Sequence, residues 1–288
     1  FSITNLKNTN MGYTYSLSAL FEKSFYFGLD LAASYTFGHS KSVYDGTSSV
    51  AYSNWKYNYA VDSNNPGLAY SMFDIPHRVM VSVGYRTPRY AKGFMATTVS
   101  LVYNGYVGQR YSLTMNESYY DAEKKKTVYI DYNGDGWGGN SLLYIPTEDE
   151  LQKMDFKTEE DRRKFDEWIE GDSYAKKHRG AYAMRNSNSA PWENRVDLHV
   201  AQDIFVLKDR GSKFQVTFDV TNFANMLNKK WGTTYTAAYN VMPLQVIGSK
   251  KGEDGNYTNT YAYNSRNTIT KNDVLSRWHA QIGFKYIF

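Results

Sequence analysis

The last eleven residues of the chain, 278–288, are the feature that most constrains its fold. Apolar and polar side chains alternate along this segment, and only Ile287 breaks the pattern. Successive side chains of a strand point to opposite faces, so the pattern predicts a strand with one apolar face. The length also suits a tilted strand that crosses a bilayer, which needs about 9–11 residues. An amphipathic strand of a soluble sandwich is the alternative. The apolar face would carry Trp278, Ala280, Ile282, Phe284, Tyr286 and Phe288.

Six further segments have the same two-residue period. Seven such segments indicate β structure far more strongly than any single strand does. The segments before the terminus are 13–21, 25–37, 79–85, 99–103, 196–206 and 214–220. Charged residues fall on their polar side, namely Arg78, Arg86, Arg195, Asp197, His199, Asp203, Asp219 and Lys285. We interpret them as an interior charge ladder rather than a catalytic set, because no nucleophile–base pair is suggested. The chain is therefore not expected to be an enzyme.

The connections between these segments alternate between short and long. Outer-membrane barrels have short periplasmic turns and long extracellular loops. The alternation therefore predicts an antiparallel up-and-down barrel whose long loops share the extracellular end. The short connections are 22–24, 87–93 and 208–212, and the long ones are 40–75, 106–191 and 225–274. The loop at 106–191 is predicted to be a large insertion within the barrel.

Composition agrees with a barrel in a membrane. The chain has 27 tyrosines and 17% aromatic residues, yet its mean hydropathy is −0.60. It has no apolar run of the roughly 18 residues that a membrane-spanning helix needs, whereas barrel strands give a much weaker hydropathy signal. Cysteine is absent, which excludes disulfides and thiolate metal sites. The net charge of +4 comes without a Lys/Arg-rich block, which argues against a nucleic-acid partner.

Seven strands fall short of the smallest known bacterial barrels, which have 8 strands and even numbers thereafter. A small barrel fills its interior with side chains, whereas a wide one can hold water or a plug. The many charges on the polar side favour the wide type. The sequence therefore predicts an all-β fold in which residues 1–288 form the C-terminal part of a larger transmembrane β-barrel.

Several short segments resemble those of one family. They are FDIPHR at 73–78, PWENRVDL at 191–198, FDVTNFAN at 218–225, FKYIF at 284–288, and DYNGDG at 131–136 followed by LYIP at 143–146. In this order they resemble the TonB-dependent outer-membrane receptors, and in particular the Oar-like subgroup with a carboxypeptidase-regulatory-like N-terminal domain. The resemblance extends over roughly residues 12–288.

The resemblance implies a 22-stranded barrel in the bacterial outer membrane, of which this chain supplies about the last seven strands. It also implies an N-terminal plug and a TonB box outside this chain, energy from the TonB system, and import of a scarce nutrient. Siderophore, vitamin, oligosaccharide and peptide ligands all remain open, and a surface lipoprotein is a further expected partner. The alternatives are a barrel with a structural, adhesive or secretion-related role, and a soluble β-rich carbohydrate-binding module. In the family, the barrel-assembly machinery reads the aromatic end, here Phe284, Tyr286 and Phe288.

A short acidic loop is a candidate calcium site. Asp131, Asn133 and Asp135 occupy positions 1, 3 and 5 of a calcium-loop pattern, with Gly136 at position 6. The carbonyl of Trp137 could serve at position 7. Position 12 is Leu142, however, where the pattern requires Glu. A glycine-rich turn is the alternative interpretation. If the loop folds back, the missing Glu of position 12 could be replaced by one of three acidic residues, Glu148, Asp149 or Glu150.

Two other loop segments carry candidate roles. An alternating aromatic run in the first long loop could stack on the rings of a ligand or simply pack the loop. It consists of Tyr52, Trp55, Tyr57 and Tyr59. Further along, Thr147 and Glu150 have capping-box spacing, which predicts the start of a helix. Phe165, Trp168 and Ile169 share one helical face, and we expect this stripe to pack a small loop core.

Overall fold

Seven long strands form the main sheet of the protein. The computed structural model describes residues 5, 7–136, 139–206, 212–237, 240–253, 255–265 and 269–288. Within these ranges the long strands are β1 (Tyr13–Ser24), β2 (Leu29–Ser42), β3 (His77–Arg86), β4 (Met95–Tyr106), β5 (Glu193–Phe205), β6 (Lys213–Thr221) and β7 (His279–Ile287). Each pairs antiparallel with the next in sequence, and a two-residue strand, Ala69–Tyr70, pairs with the last two residues of β2. We call this sheet the wall. Its up-and-down order matches the predicted one. Within the described residues the two edge strands, β1 and β7, do not pair with each other, so the sheet is open.

The strand register gives the wall one apolar face. Leu31 stands opposite Val83, Val83 opposite Leu101, and Leu101 opposite Leu198. Large apolar side chains on this face are exposed, and Phe284 keeps 80% of its accessible surface. A soluble sheet would cover such a face, whereas lipid can cover it in a membrane. The predicted strand residues on this face are Leu29, Leu31, Val81, Val83, Leu101, Leu198, Val200, Val216, Phe218, Ile282 and Phe284.

Exposed aromatic side chains lie at both ends of the wall. Tyr13 and Tyr15 lie at the end that carries the long loops, and Trp192 and Trp278 immediately precede β5 and β7 at that same end. At the opposite end, the Phe214 and Tyr286 rings pack with their centroids 4.8 Å apart. The row through Leu31, Val83, Leu101 and Leu198, between the two ends, is aliphatic. This distribution is typical of the aromatic girdles that flank the apolar band of a membrane barrel.

The first short turn differs from the prediction at 22–24. Strand β1 continues through Ser24, and the chain reverses at 25–28, where the Phe25 amide donates to the Leu29 carbonyl at 2.8 Å. Gly28 adopts φ +95°, and a Cβ there would lie 2.2 Å from the Arg86 carbonyl oxygen, so the reversal needs glycine. Phe25 and Phe27 therefore belong to the turn rather than to β2. The turn predicted at 87–93 is confirmed between β3 and β4, and that at 208–212 lies almost wholly outside the described residues.

The loops at 107–192 and 222–278 fold together into a second unit, which we call the cap. Its buried core draws on these two loops, and within the described residues no wall strand contributes to it. The central side chains, Leu113, Leu143, Ile145, Phe165 and Ile169, are completely buried. The core consists of Tyr111, Leu113, Met115, Leu143, Ile145, Leu151, Phe156, Phe165, Ile169, Ala175, Ala183, Ala237, Val241, Leu244 and Val246.

Short strands and helices build the cap and the loops. The strands are Arg110–Leu113, Ser118–Asp121, Lys126–Tyr129, Tyr144–Ile145, Asp155–Phe156, Ala181–Tyr182, Asn188–Ser189, Tyr235–Thr236, Asn240–Val241, Leu244–Lys251, Tyr257–Tyr263 and Thr270–Lys271. The helices are α1 (Ala51–Lys56), α2 (Glu148–Lys153), α3 (Glu159–Gly171), α4 (Phe223–Leu227) and α5 (Asp273–Ser276), with a 3-10 turn at Ala175–Lys177. Among the described residues, no helix combines the length and apolar character that crossing a membrane requires.

The two longest cap helices follow the sequence signals. The Thr147 hydroxyl accepts the Glu150 amide at 3.3 Å, and the Glu150 carboxylate accepts the Thr147 amide at 2.9 Å. This reciprocal pair is the predicted capping box, and it satisfies two backbone donors at the start of α2. On α3, Phe165 and Ile169 enter the cap core and Trp168 packs against it. The predicted role of this stripe in packing is confirmed.

Candidate functional site

A buried carboxylate fixes the first long loop, 43–76, to both the wall and the cap. Asp74 is 2% exposed, and its Oδ1 accepts the Ser40 amide of β2 at 2.7 Å. Its Oδ2 accepts hydrogen bonds from Nη2 and Nε of Arg110, a residue of the cap, at 2.6 and 3.0 Å. His39 Nδ1 lies 3.3 Å from the same oxygen. Removing one partner would leave a buried charge without compensation, so this cluster holds the three segments together.

A cavity of about 380 Å³ opens beside this cluster. It lies where the first long loop meets the cap, and its volume falls at the lower end of small-molecule sites. Three tyrosines supply aromatic surface, and two arginines and a carboxylate supply charge. These lining residues are Tyr44, Tyr57, Tyr59, Asp45, Arg110 and Arg185. A concave site with aromatic walls and a few convergent polar groups is the usual form of a ligand pocket.

The charge of Arg185 is only partly compensated in this cavity. Its side chain is 5% exposed, and the guanidinium donates to Asn58 Oδ1 and to the Ser42 carbonyl, both at 2.5 Å. Both acceptors are neutral, and the carboxylate of Asp45 forms a looser ion pair with the guanidinium at 3.7 Å. Burial lowers the pKa of Arg185 below its ordinary value, and the nearby Asp45 and Tyr44 offset only part of that effect. Arg185 is thus a buried cation whose surroundings under-stabilise its charge.

The cavity includes two of the four predicted ligand-binding aromatics. Tyr57 and Tyr59 line it. Tyr52 and Trp55 instead lie on helix α1, where their rings stack with centroids 5.7 Å apart. The predicted alternation fails there because 51–56 is helical, and residues three apart on a helix are neighbours. Whether these rings bind a ligand stays a prediction.

The acidic loop forms a tight turn stabilised by its own side chains. The Asp131 carboxylate accepts the Asp135 amide at 3.1 Å and the Gly136 amide at 2.8 Å. Asn133 Oδ1 also accepts the Asp135 amide, at 3.3 Å. Asp135 Oδ2 accepts the Ser63 hydroxyl at 2.6 Å, which links the cap to the first long loop. The geometry is that of a hydrogen-bonded turn, which is the alternative interpretation that the sequence left open.

The remaining calcium ligands are not all in place. Leu142, at position 12, is buried in the cap. The Glu150 carboxylate already accepts hydrogen bonds from the Thr147 amide and the Tyr144 hydroxyl, both at 2.9 Å. Trp137 lies outside the described residues, within which no three His, Asp or Glu side chains form a group that could hold a metal ion. Because the pattern also uses an amide and carbonyl oxygens, the calcium hypothesis stays a prediction.

A second buried carboxylate lies close to the acidic loop. Glu117 is buried, and its Oε1 accepts the Ser141 amide at 2.6 Å. Burial raises the pKa of Glu117 above its ordinary value, hydrogen bonds from Ser141 and Gly139 oppose the shift, and Asp135 adds to it. The residue therefore favours its neutral form more than an exposed glutamate does.

The C-terminal aromatic residues lie along one exposed edge of the wall. Strand β7 pairs with β6 over residues 279–287, and its other edge has no partner strand within the described part of the chain. Phe284 and Tyr286 stand on the apolar face opposite Val216 and Phe214. Phe288 is 94% exposed. An accessible aromatic end of this kind suits a recognition role, which the geometry leaves untested.

Sequence patterns missed the charged residues of the cavity. Asp74 lies inside the segment FDIPHR, so the family resemblance had marked the segment but not its contact with Arg110. Arg110 and Arg185 are single arginines in loop sequence without periodicity or motif. No local signal pairs Arg185 with Asn58, because the two residues are 127 positions apart in the chain.

A comparison with protein families identifies the wall. The model of a family described as "Outer membrane beta barrel domain" matches residues 1–277. No curated protein and no solved structure matches the chain. The matched range contains β1 to β6, the whole cap except its last residue, and the cavity.

Proposed function

We propose, because the chain belongs to the outer membrane β-barrel family, that it is the C-terminal part of a TonB-dependent receptor that imports a scarce nutrient. The protein is located in the bacterial outer membrane, as its family implies. The antiparallel wall is part of a barrel whose exposed apolar face contacts lipid. In this proposal the seven wall strands are about a third of a 22-stranded barrel. The long loops then lie outside the cell and the short turns face the periplasm.

The polar face of the wall supports a wide lumen. Near the short-turn end, the buried Asp203 accepts Arg86 Nη2 at 2.9 Å, Lys213 Nζ at 2.7 Å and Gln215 Nε2 at 2.8 Å. His199 Nδ1 bonds to Asp219 on the same face. Such networks occupy an interior that contacts water or a plug domain, whereas a narrow barrel fills its interior with packed side chains.

The observation that carries the proposal is the cavity on the extracellular side. The cap, which has its own core, supplies Arg110 and Arg185 to the cavity wall. Asp74 fixes the first long loop, which supplies most of the other lining residues, to Arg110 and to β2. A barrel with a purely structural role has no need of a folded cap with a charged, aromatic cavity. A receptor requires a site that captures its ligand before transport.

Several partners belong to this proposal. An N-terminal plug and a TonB box would precede this chain in the protein, and a surface lipoprotein would bind over the cap. The barrel-assembly machinery would read the exposed aromatic residues of β7. The proposal includes neither catalysis nor nucleic-acid binding.

Energy coupling provides the test. The full outer-membrane protein that carries this chain should bind the purified periplasmic domain of TonB in a pull-down from detergent-solubilised membranes. Deleting tonB should then reduce growth on the limiting nutrient as much as deleting the receptor gene does. Correct outer-membrane insertion without TonB binding or a growth defect would favour the structural, adhesive or secretion-related alternative.

Recognition of the C-terminus has its own test. Phe288 is almost fully exposed, so Phe288→Ala should change folded stability little. If the assembly machinery reads the ring, the outer-membrane abundance of the variant should fall far more than its refolding midpoint in detergent. Parallel changes in the two measurements would mean that Phe288 is only a packing residue.

A further inference from the structure

We infer that the cavity between the first long loop and the cap binds a small organic anion, with the carboxylate of the ligand on Arg185 and its ring against the tyrosines. The inference rests on the proposed function and deepens it, since it names the class of ligand that the extracellular site selects. It depends on three properties of the cavity: the charge of Arg185, the difference between Arg185 and Arg110, and the aromatic wall.

The two arginines of the cavity differ in how their charges are compensated. Arg110 forms two close bonds to the carboxylate of Asp74, so its charge is already paired. Arg185 donates to neutral oxygens, and its ion pair with Asp45, at 3.7 Å, is longer than the 2.6 Å pair of Arg110 with Asp74. A guanidinium has five N–H donors in a planar fork that fits a carboxylate. An anionic ligand would therefore give Arg185 a closer counter-charge than Asp45 does.

Asp45 competes only loosely with such a ligand for the fork, since its Oδ2 lies 3.7 Å from Arg185 Nη1. Its Oδ1 accepts the Ser42 hydroxyl at 2.8 Å, and its Oδ2 accepts the Met72 amide at 3.1 Å. These bonds hold the carboxylate against β2 and its own loop, and Asn186 of the cap donates a longer bond to Oδ2 at 3.4 Å. Arg110 is already paired with Asp74, and Asp45 is the looser counter-ion of Arg185. Arg185 is therefore the lining cation that favours a bound anion.

The other lining side chains favour a ring. Tyr44, Tyr57 and Tyr59 surround the cavity together with Met72. Aromatic faces stack on flat or ring-shaped ligands, and the volume of about 380 Å³ limits the ligand to a small molecule. Asn54 and Asn58 could also serve the hydroxyls of a neutral sugar. The partly compensated Arg185 favours an acid over that alternative, because a neutral ligand would leave its charge as it is.

Calorimetry with acids and their neutral counterparts tests the inference. The full protein, purified from outer membranes in detergent, is titrated with benzoate, 4-hydroxybenzoate and glucuronate, and with benzamide, 4-hydroxybenzamide and glucose. We expect saturable binding of at least one acid. Its neutral counterpart should bind at least about tenfold more weakly, since a hydrogen bond to a charged group is lost. Equal binding of the neutral partner, binding of glucose alone, or binding of none of the six would overturn the inference.

Variants locate the binding at the cavity. Arg185→Gln should weaken binding of the acid at least about tenfold. The matched control is Arg179→Gln, because Arg179 pairs with Asp166 and Glu170 elsewhere in the cap and should leave affinity unchanged. Tyr57→Leu provides a second variant if the first does not fold, since Tyr57 is 64% exposed. Unchanged affinity in both cavity variants would contradict the proposed location.

The outcomes separate this inference from the proposed function. Binding is measured on purified protein and needs no TonB. Acid binding without TonB coupling would support the site and refute import, whereas TonB coupling without acid binding would support import and refute the ligand class.

Discussion

The wall and the cap place apolar and charged side chains in opposite arrangements. Phe218 of β6 is 41% exposed on the apolar face of the wall, whereas Phe165 of α3 is completely buried in the cap. In the wall, the charged Asp203 is buried, whereas most of the large apolar side chains are outside. The cap has the usual arrangement of an apolar core and a charged surface. The difference indicates two solvents, lipid around the strands and water around the loops.

Local stability should respond to the same substitution very differently in the two regions. Phe165→Ala should destabilise the cap by about 3–5 kcal/mol, because it leaves a cavity in a packed core. Phe218→Ala should cost about 1 kcal/mol or less, since lipid chains can replace the ring. Hydrogen exchange of amides in 143–170 measures the first effect, and exchange in β6 measures the second. Similar losses at both sites would mean that the wall face is not covered by lipid.

Neighbouring positions on one strand should distinguish the two wall faces. Leu101 lies in the middle of β4 on the apolar face, and Ser100 points to the opposite face in the row with His199. Leu101→Arg should cost about 2–4 kcal/mol, the penalty for an arginine near the midplane of a bilayer. Ser100→Arg should cost much less because it enters the polar side. Refolding into lipid vesicles at increasing urea gives both values, and equal costs would reject the face assignment.

A helix cap tests whether the cap obeys the rules of water-soluble domains. Thr147→Ala removes the hydroxyl that accepts the Glu150 amide. We expect a loss of about 1 kcal/mol in the stability of α2. The loss should appear as faster hydrogen exchange of the Glu150 amide, while exchange in the wall strands should not change. An effect that spread into β4 and β5 would show that cap and wall unfold as one unit.

Calcium would act on the cap alone. If the Asp131 loop binds calcium with the affinity of extracellular modules, 1 mM calcium should stabilise the cap by about 0.4–1.4 kcal/mol. Asp131→Asn should abolish the effect, and chelator should reverse it in the unmodified protein. Identical cap melting with calcium and with chelator would leave only the glycine-rich turn.

Periodic sequence made the wall predictable. Alternation specified the strand faces because a one-residue slip would bring charged residues such as Asp197 to the apolar side. It failed at 25–28, where Phe25 and Phe27 continue the alternation through a turn that Gly28 makes possible. Backbone reversal there depends on the close approach of Arg86, which no local pattern reports.

The candidate site was predictable only in part. Local spacing found the capping box and the α3 stripe, because both arise between residues three or four apart. The cavity instead depends on contacts between distant loops, such as Arg185 with Asn58 and Arg110 with Asp74. The aromatic run was found by its alternation, but the helix at 51–56 separated Trp55 from Tyr57. Tertiary contacts, rather than propensity, therefore decide which residues meet.

The most direct test of the lipid-facing wall is a spin-label scan of β6. The chain has no cysteine, so each position can be labelled singly. Labels at Phe214, Val216 and Phe218 should be accessible to oxygen, which concentrates in lipid. Labels at Gln215, Thr217 and Asp219 should instead be accessible to a water-soluble nickel chelate. The account predicts this two-residue alternation in the native outer membrane, and uniform access of the nickel chelate to all six positions would contradict it.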